Sequence, residues 1–402
     1  MRKEEARMAY PAKTEGGSAA EVFFLFLRLG ASCFGGHVST LARIRHEVVI
    51  RRRWLEDEDH AGLVALCHLL PGLTLAQLAL ALGWRRARGA GAIAAVVAFV
   101  LPAAVMLAAL IWGMAQSGTE LPAGLVQGVV LAAIAMLLRG IWRIGQEVCP
   151  DRERATIALA AVILLAVAAG PMGRWAALLF GLVAGAMLGK ARPIGLGARD
   201  GGIPVALGLT CAAIWAAGLL FLPLLAPLGF GLSMADLFYR SGALAFGGGH
   251  GLMAWLVPEI SASNVLGADT VWSGYALAQA LPGPMSSMAL WLGPMIEAGG
   301  AGIGLALLGM TALLAPGLLL TAVALAFWPR LGSSRVLVSA LQGGSAATLG
   351  MLATILYAPL LTTQLSSQLD LALMLACLLA LTLWRCPAWA VLVMAAFAGS
   401  WV

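Results

Sequence analysis

Arg28, Gly35, Gly36 and His37 lie close together in the chain, and the same residue types return in the same order as Arg240, Gly247, Gly248 and His250, with Gly249 extending the second glycine run. The shared string is R-x-G-A-x-x-F-G-G, and Arg28 and Arg240 are 212 positions apart. Two guanidinium groups carry planar donor forks that fit an oxyanion, and two positive charges would neutralise a tetrahedral dianion. A glycine pair that interrupts an apolar segment frees backbone N–H groups. A helix restarting after it presents a partly positive end, which is an anion site made of backbone. Each string is followed by a second interruption, Pro71-Gly72 and Pro282-Gly283, where proline removes a donor and stops helix propagation. The expected anion-binding set is therefore Arg28, Gly35, Gly36, His37, Pro71, Gly72, Arg240, Gly247, Gly248, Gly249, His250, Pro282 and Gly283. Plainer roles stand beside this one: arginines snorkelling to headgroups, glycines permitting close helix packing, prolines that merely kink. His37 and His250 could bond the anion or carry a proton. Glu47, Asp236 and Glu259 are candidates for proton coupling, or ion-pair partners of nearby arginines such as Arg43 or Arg51.

The elements that must hold these residues are membrane helices. Hydrophobic residues make up 61% of the chain and charged residues 11%, a balance a water-soluble fold could not bury. The net charge of +6 sits on arginines at the ends of apolar runs, where membrane topology places them, so nucleic acid is not an expected partner. The residues before Glu21 lack the apolar stretch of a cleavable signal. Cys33, Cys67, Cys149, Cys211, Cys377 and Cys386 form no CxxC pair, which favours small buried hydrophobes over disulfides or metal ligands.

Apolar runs of roughly spanning length are 89–115, 121–138, 155–170, 174–189, 203–224, 300–328, 336–361, 369–384 and 387–402. The duplication divides the chain into a tail, 1–20, a first repeat, 21–190, a connector with one unpaired helix, 191–231, and a second repeat, 232–402. One unpaired span between two even-numbered repeats puts them in opposite orientations. Basic loops at Arg85–Arg88, Arg139–Arg154 and Lys190–Arg199 alternate with non-basic ones, and the phase reverses in the second repeat; Arg174 is the exception. The expected fold is an all-α polytopic membrane protein with two inverted-topology repeats, broken or re-entrant helices and about 13 membrane segments. Its N-terminus is expected in the cytoplasm and its C-terminus outside.

Phe34-Gly35-Gly36, a charged elbow ending in Trp54, Leu70-Pro71-Gly72 and an apolar run containing Leu101-Pro102 together resemble the chromate ion transporter family. The second half repeats the pattern with Phe246–Gly249 and Pro282–Pro284. The resemblance spans the chain from Glu21 onward and departs in two places: His37 stands where the family usually has proline, and Leu73 ends the first Pro-Gly-Pro. It implies the two-domain, long-chain form, in a bacterial inner membrane, exporting chromate by alternating access and conferring chromate resistance. The driving force would be the proton gradient or anion exchange, with sulfate as a competitor, no cofactor, and a homodimer allowed. The residues alone reach only a secondary transporter for a small anion.

Other strings fail on inspection. His46-Glu47 begins a zinc-protease motif, but Ile50 stands where its second histidine belongs. Gly299–Gly304 resembles a nucleotide loop but opens an apolar run with no following lysine. The elbow Arg51–Trp54 with Glu56–Asp59 suits interfacial anchoring. Sulfate uptake is the rival transport function. A membrane reductase would need a redox centre that the scattered cysteines do not supply, so no enzyme activity is expected.

Overall fold

Backbone surrounded by lipid has no water to bond, so each segment must satisfy its own peptide groups. Every regular element among the described residues is helical. The computed structural model describes residues 16–34, 36–117, 122–191, 202–263, 265–297, 299–332 and 334–401. In the first half the helices are α1 Ala19–Ser32, α2 Gly36–Arg45, α3 Asp57–Leu69, α4 Thr74–Ser117, α5 Ala123–Val148, α6 Arg152–Val167 and α7 Pro171–Leu188. Helix α8, Val205–Leu225, follows. The second half contains α9 Phe230–Ala243, α10 Gly249–Ser263, α11 Ala268–Ala280, α12 Met288–Ile296, α13 Gly299–Leu331, α14 Arg335–Ile355, α15 Gln368–Thr382 and α16 Ala388–Gly399. Polar caps set several starts: Ser18 accepts from Glu21 N, Asp151 from Arg154 N, and Ser367 forms a reciprocal box with Asp370.

Six stretches are long and apolar enough to cross a membrane: Thr74–Met114, Ala123–Val148, Pro171–Leu188, Val205–Leu228, Gly302–Trp328 and Arg335–Gln364. Met285–Ile296, Gln368–Thr382 and Ala388–Gly399 are apolar but shorter. Large apolar side chains such as Phe221, Leu224, Met187 and Val167 face outward, as on a surface in contact with lipid. The chain is an all-helical, multi-pass membrane protein.

Positions paired by the duplicated string make paired contacts. Helix α1 lies along α4, and α9 lies along α13. A Cβ on Gly30 would come 2.6 Å from Phe99 O, and one on Gly242 would meet Leu313 O in the same way. The later helices cross over between halves. Helix α5 packs against α15 and α16, while α14 packs against α6 and α7. The last two helices of each half therefore cover the central helix of the other.

Helix α4 is a hairpin rather than one rod. Ala87 and Arg88 leave helical geometry, with Arg88 at φ 53°, and Gly83 and Gly91 meet across the turn. The short α12 and long α13 make the matching hairpin, with Gly293 against Ala306. The charged elbow is clamped to this turn. Glu21 accepts from Arg52, from Trp54 Nε1 and from Arg86, and both guanidinium groups lie over the Trp54 ring.

Candidate functional site

Two proline-glycine interruptions shape the centre of the molecule, and they do so alike. Leu70 and Leu281, held extended by the prolines that follow, end α3 and α11. Gly72 then takes φ 128° and Gly283 φ 127°, a region closed to side chains. The first break is tied down on two sides. Gly72 N–H donates to Ala245 O, 3.0 Å away in the other half. The buried Gln77 amide donates to Pro71 O at 3.0 Å and to Gly317 O at 3.1 Å. At the first interruption the freed Gly72 N–H is thus met by the opposite half and Pro71 O by Gln77, as a low-dielectric interior requires.

The glycine interruptions lie beside them. Helix α9 stops at Ala243, Gly247 and Gly248 both adopt positive φ, and α10 begins at Gly249. In the first half α1 stops at Ser32 and α2 begins at Gly36. Gly35 lies outside the described residues.

All four restarts border one cavity of about 290 Å³. His37 comes from the start of α2, Thr74 from the start of α4, Gly247–His250 from the start of α10, and Gly283–Met285 from the turn before α12. Helix starts carry partly positive ends, and four of them meet at this chamber. The walls add His68 from α3, Arg143 and Glu147 from α5, Arg154 from α6, Gln279 from α11 and Gln342 from α14. Both halves therefore contribute to a single chamber.

Its polar side chains are connected. His37 Nε2 and His68 Nε2 are 3.0 Å apart. His250 Nδ1 is 2.8 Å from the buried Tyr275 hydroxyl. Gly140 leaves room for the His250 imidazole, since a Cβ there would sit 2.7 Å from the ring. Arg143 donates to Glu147 at 3.2 Å. Arg154 pairs with Asp151 in the loop before α6, and its hydrogen bond holds the Asp151 carboxyl below the usual carboxylate range. The Arg154 charge is consequently spent at ordinary pH. Among the described residues, no group of three or more His, Cys, Asp or Glu side chains is placed to hold a metal ion.

The residues singled out by the sequence divide by position. His37, Gly247, Gly248, Gly249, His250 and Gly283 line the cavity. Gly36 starts α2, while Pro71, Gly72 and Pro282 form the interruptions and do not line the cavity. Arg28 is exposed away from the cavity. Arg240 also lies off it and is bonded to Asp236, which is buried. Glu47 pairs with Arg51 and Arg52 in the elbow. Glu259 on α10 pairs with Arg174 on α7, which gives a reason for the one arginine that breaks the loop-charge pattern.

Several wall residues escaped the sequence. His68 carries no motif, yet it stands 211 positions before Gln279, the spacing that relates Gly72 to Gly283. Arg143 and Glu147 read as loop charges, and only the packing of α5 turns them inward.

The family profile described as chromate transporter matches residues 20–189 and again 232–400. A chromate transport protein of Pseudomonas aeruginosa is 28% identical over 69% of this chain and 66% of its own length. A chromate transport protein of Cupriavidus metallidurans is 25% identical over 82% of this chain and 80% of its own. An uncharacterised transporter of Methanocaldococcus jannaschii is 24% identical over 71% of each. No solved structure matches the chain. With one profile accounting for both halves, the chain belongs to the chromate transporter family.

Proposed function

We propose that this protein carries chromate across the membrane, binding the dianion in the central cavity and exporting it from the cytoplasm. The observation that carries the proposal is the convergence of four interrupted-helix starts, two from each half, on one chamber walled by Arg143 and three histidines. Tetrahedral oxyanions suit such a place because backbone N–H groups and a guanidinium fork supply donors from several directions.

Alternating access follows from two inverted repeats sharing one site. The paired contacts Gly30–Phe99 and Gly242–Leu313, and the exchange of α6–α7 and α15–α16 between halves, support that architecture. The repeats are 21–190 and 232–402, joined through α8.

Direction follows from charge. The cavity reaches the C-terminal end of α5 and the start of α6 through Arg143, Glu147, Val148 and Arg154. That end carries the basic residues Arg139, Arg143, Arg152 and Arg154, which the positive-inside rule assigns to the cytoplasm. The chamber is then open inward, ready to load from the cytoplasm of a bacterial inner membrane. A dianion leaving a cell with a negative interior gains about 4.6 kcal/mol per 100 mV, a concentration ratio of about three decades, without any other ion. This is enough for resistance by efflux.

Reconstituted vesicles test this. Chromate should accumulate on the face corresponding to the cell exterior when a potassium diffusion potential makes the cytoplasmic face negative, and sulfate should compete. Chromate movement indifferent to the imposed potential and to the protein's presence would refute the proposal.

A further inference from the structure

The histidine pair at the chamber wall has a chemistry that the transport reading leaves unused. With Nε2 facing Nε2 at 3.0 Å, two N–H groups would collide and two lone pairs would repel, so a single proton lies between the rings. In the neutral pair, the ring donating that proton has a bare Nδ1. A second proton, taken from water, adds there and turns the pair into an imidazolium hydrogen-bonded to an imidazole. The pair thereby gains one positive charge without losing its contact.

The other half holds the same place differently. Gln279 stands where His68 does, at the spacing of the two proline-glycine breaks, and Tyr275 and Gln279 surround His250. An amide and a phenol can bond an imidazole, but they take up no proton near neutral pH. The chamber is thus built twice for hydrogen bonding and once for paired protonation.

The charged surroundings fit a proton that waits for an anion. His37 touches His68 on α3 and shares the chamber lining with Arg143 on α5 and His250 on α10. His68 lines the same chamber as Arg143 and Glu147 on α5. Cys33 before α2 and Arg154 on α6 complete the titratable lining. Arg143 opposes the extra charge and Glu147, the one carboxylate among the lining residues, favours it. A dianion in the chamber tips that balance. The carboxylates that could otherwise carry a proton, Glu47, Asp236 and Glu259, are all bound to arginines off the cavity.

We propose that the His37–His68 pair takes up one proton when the oxyanion binds, so that anion and proton occupy the chamber together. This rests on the chamber being the oxyanion site. Its consequence is a cycle that moves one net negative charge rather than two, and an affinity that rises as pH falls through the pair's titration.

The test is a chromate titration of the purified full-length chain in weakly buffered detergent solution from neutral to mildly alkaline pH. A pH dye follows protons, and the chromate–hydrogen chromate equilibrium is subtracted. The wild-type chain should take up a proton with the anion, approaching one per site. His68→Gln, which copies the arrangement around Gln279, should bind more weakly, with no proton uptake and an affinity that no longer rises as pH falls; His37→Gln should behave likewise. Undiminished uptake in either variant, or binding by the wild type with no uptake, overturns the proposal. So does loss of all chromate binding by both variants in monodisperse form, since the pair would then be needed for binding itself. A wild-type chain that binds no chromate at any pH overturns the oxyanion site, and the pair's role falls with it.

Discussion

Arg143 and Glu147 are bonded to each other at 3.2 Å and both line the chamber, yet their removal should act with opposite sign. A guanidinium about 5 Å from the centre of a dianion contributes roughly 6 to 7 kcal/mol of attraction at an effective dielectric near 20. Desolvation of both partners takes back much of that, and truncating one member of a close charged pair typically costs about 2–5 kcal/mol. Arg143→Gln also leaves Glu147 facing the anion without its counter-ion. The expected loss is about 3 kcal/mol, or roughly a hundredfold in chromate affinity. Glu147→Gln removes a repulsive charge instead. Its side chain is 48% exposed, so solvent screens it, and the expected gain is about 1 kcal/mol, roughly fivefold. Binding can be followed by quenching of intrinsic tryptophan fluorescence, and flux in reconstituted vesicles, with both variants checked for equal monodisperse yield. The double variant should fall between the two and depart from additivity, because the side chains touch. Equal affinities in the wild type and Arg143→Gln, or a shift of the same sign in both single variants, would refute the placement of the anion beside α5.

Other perturbations separate the site from its scaffold. Arg240→Ala should strip the partner from a buried Asp236 and cost about 3–5 kcal/mol of stability; it should lower the amount of folded protein, and Asp236→Asn added to it should restore that amount. Gly72→Ala and Gly283→Ala should each cost about 1–3 kcal/mol for the forced positive φ alone, read as a lower thermal midpoint in detergent, and Gly72→Ala should cost more because its Cβ would come 2.7 Å from Gly317 Cα. Gly140→Ala should push the His250 ring aside and weaken chromate binding severalfold at unchanged yield. Gln77→Leu should leave Pro71 O without its donor, at about 1–3 kcal/mol, while Gly317 O keeps its bond from the Thr321 hydroxyl.

What the residue string carries by itself is the set of places where helices must stop. Proline lacks a donor and glycine tolerates positive φ whatever surrounds them, so Pro71-Gly72, Gly247-Gly248 and Pro282-Gly283 mark interruptions before any packing is known. The apolar runs between them carry the membrane class for an equally local reason, the cost of exposing such surface to water. The paired strings likewise relate the halves, and His68 can be matched to Gln279 by counting alone.

Which charges face the chamber is another matter, because it depends on helix rotation and on partners far away in sequence. Arg28 and Arg240 occupy equivalent, motif-bearing positions, yet the packing of α1 and α9 against α4 and α13 turns both away from the cavity. Arg143 and Glu147 look like loop charges, and α5 faces them inward because α15 and α16, from the opposite half, cover its other side. The contact between His37 and His68 likewise requires two breaks to fold back on each other. Local chemistry fixes where the chain is interrupted; the long-range crossing of the two halves decides which side chains the interruptions enclose.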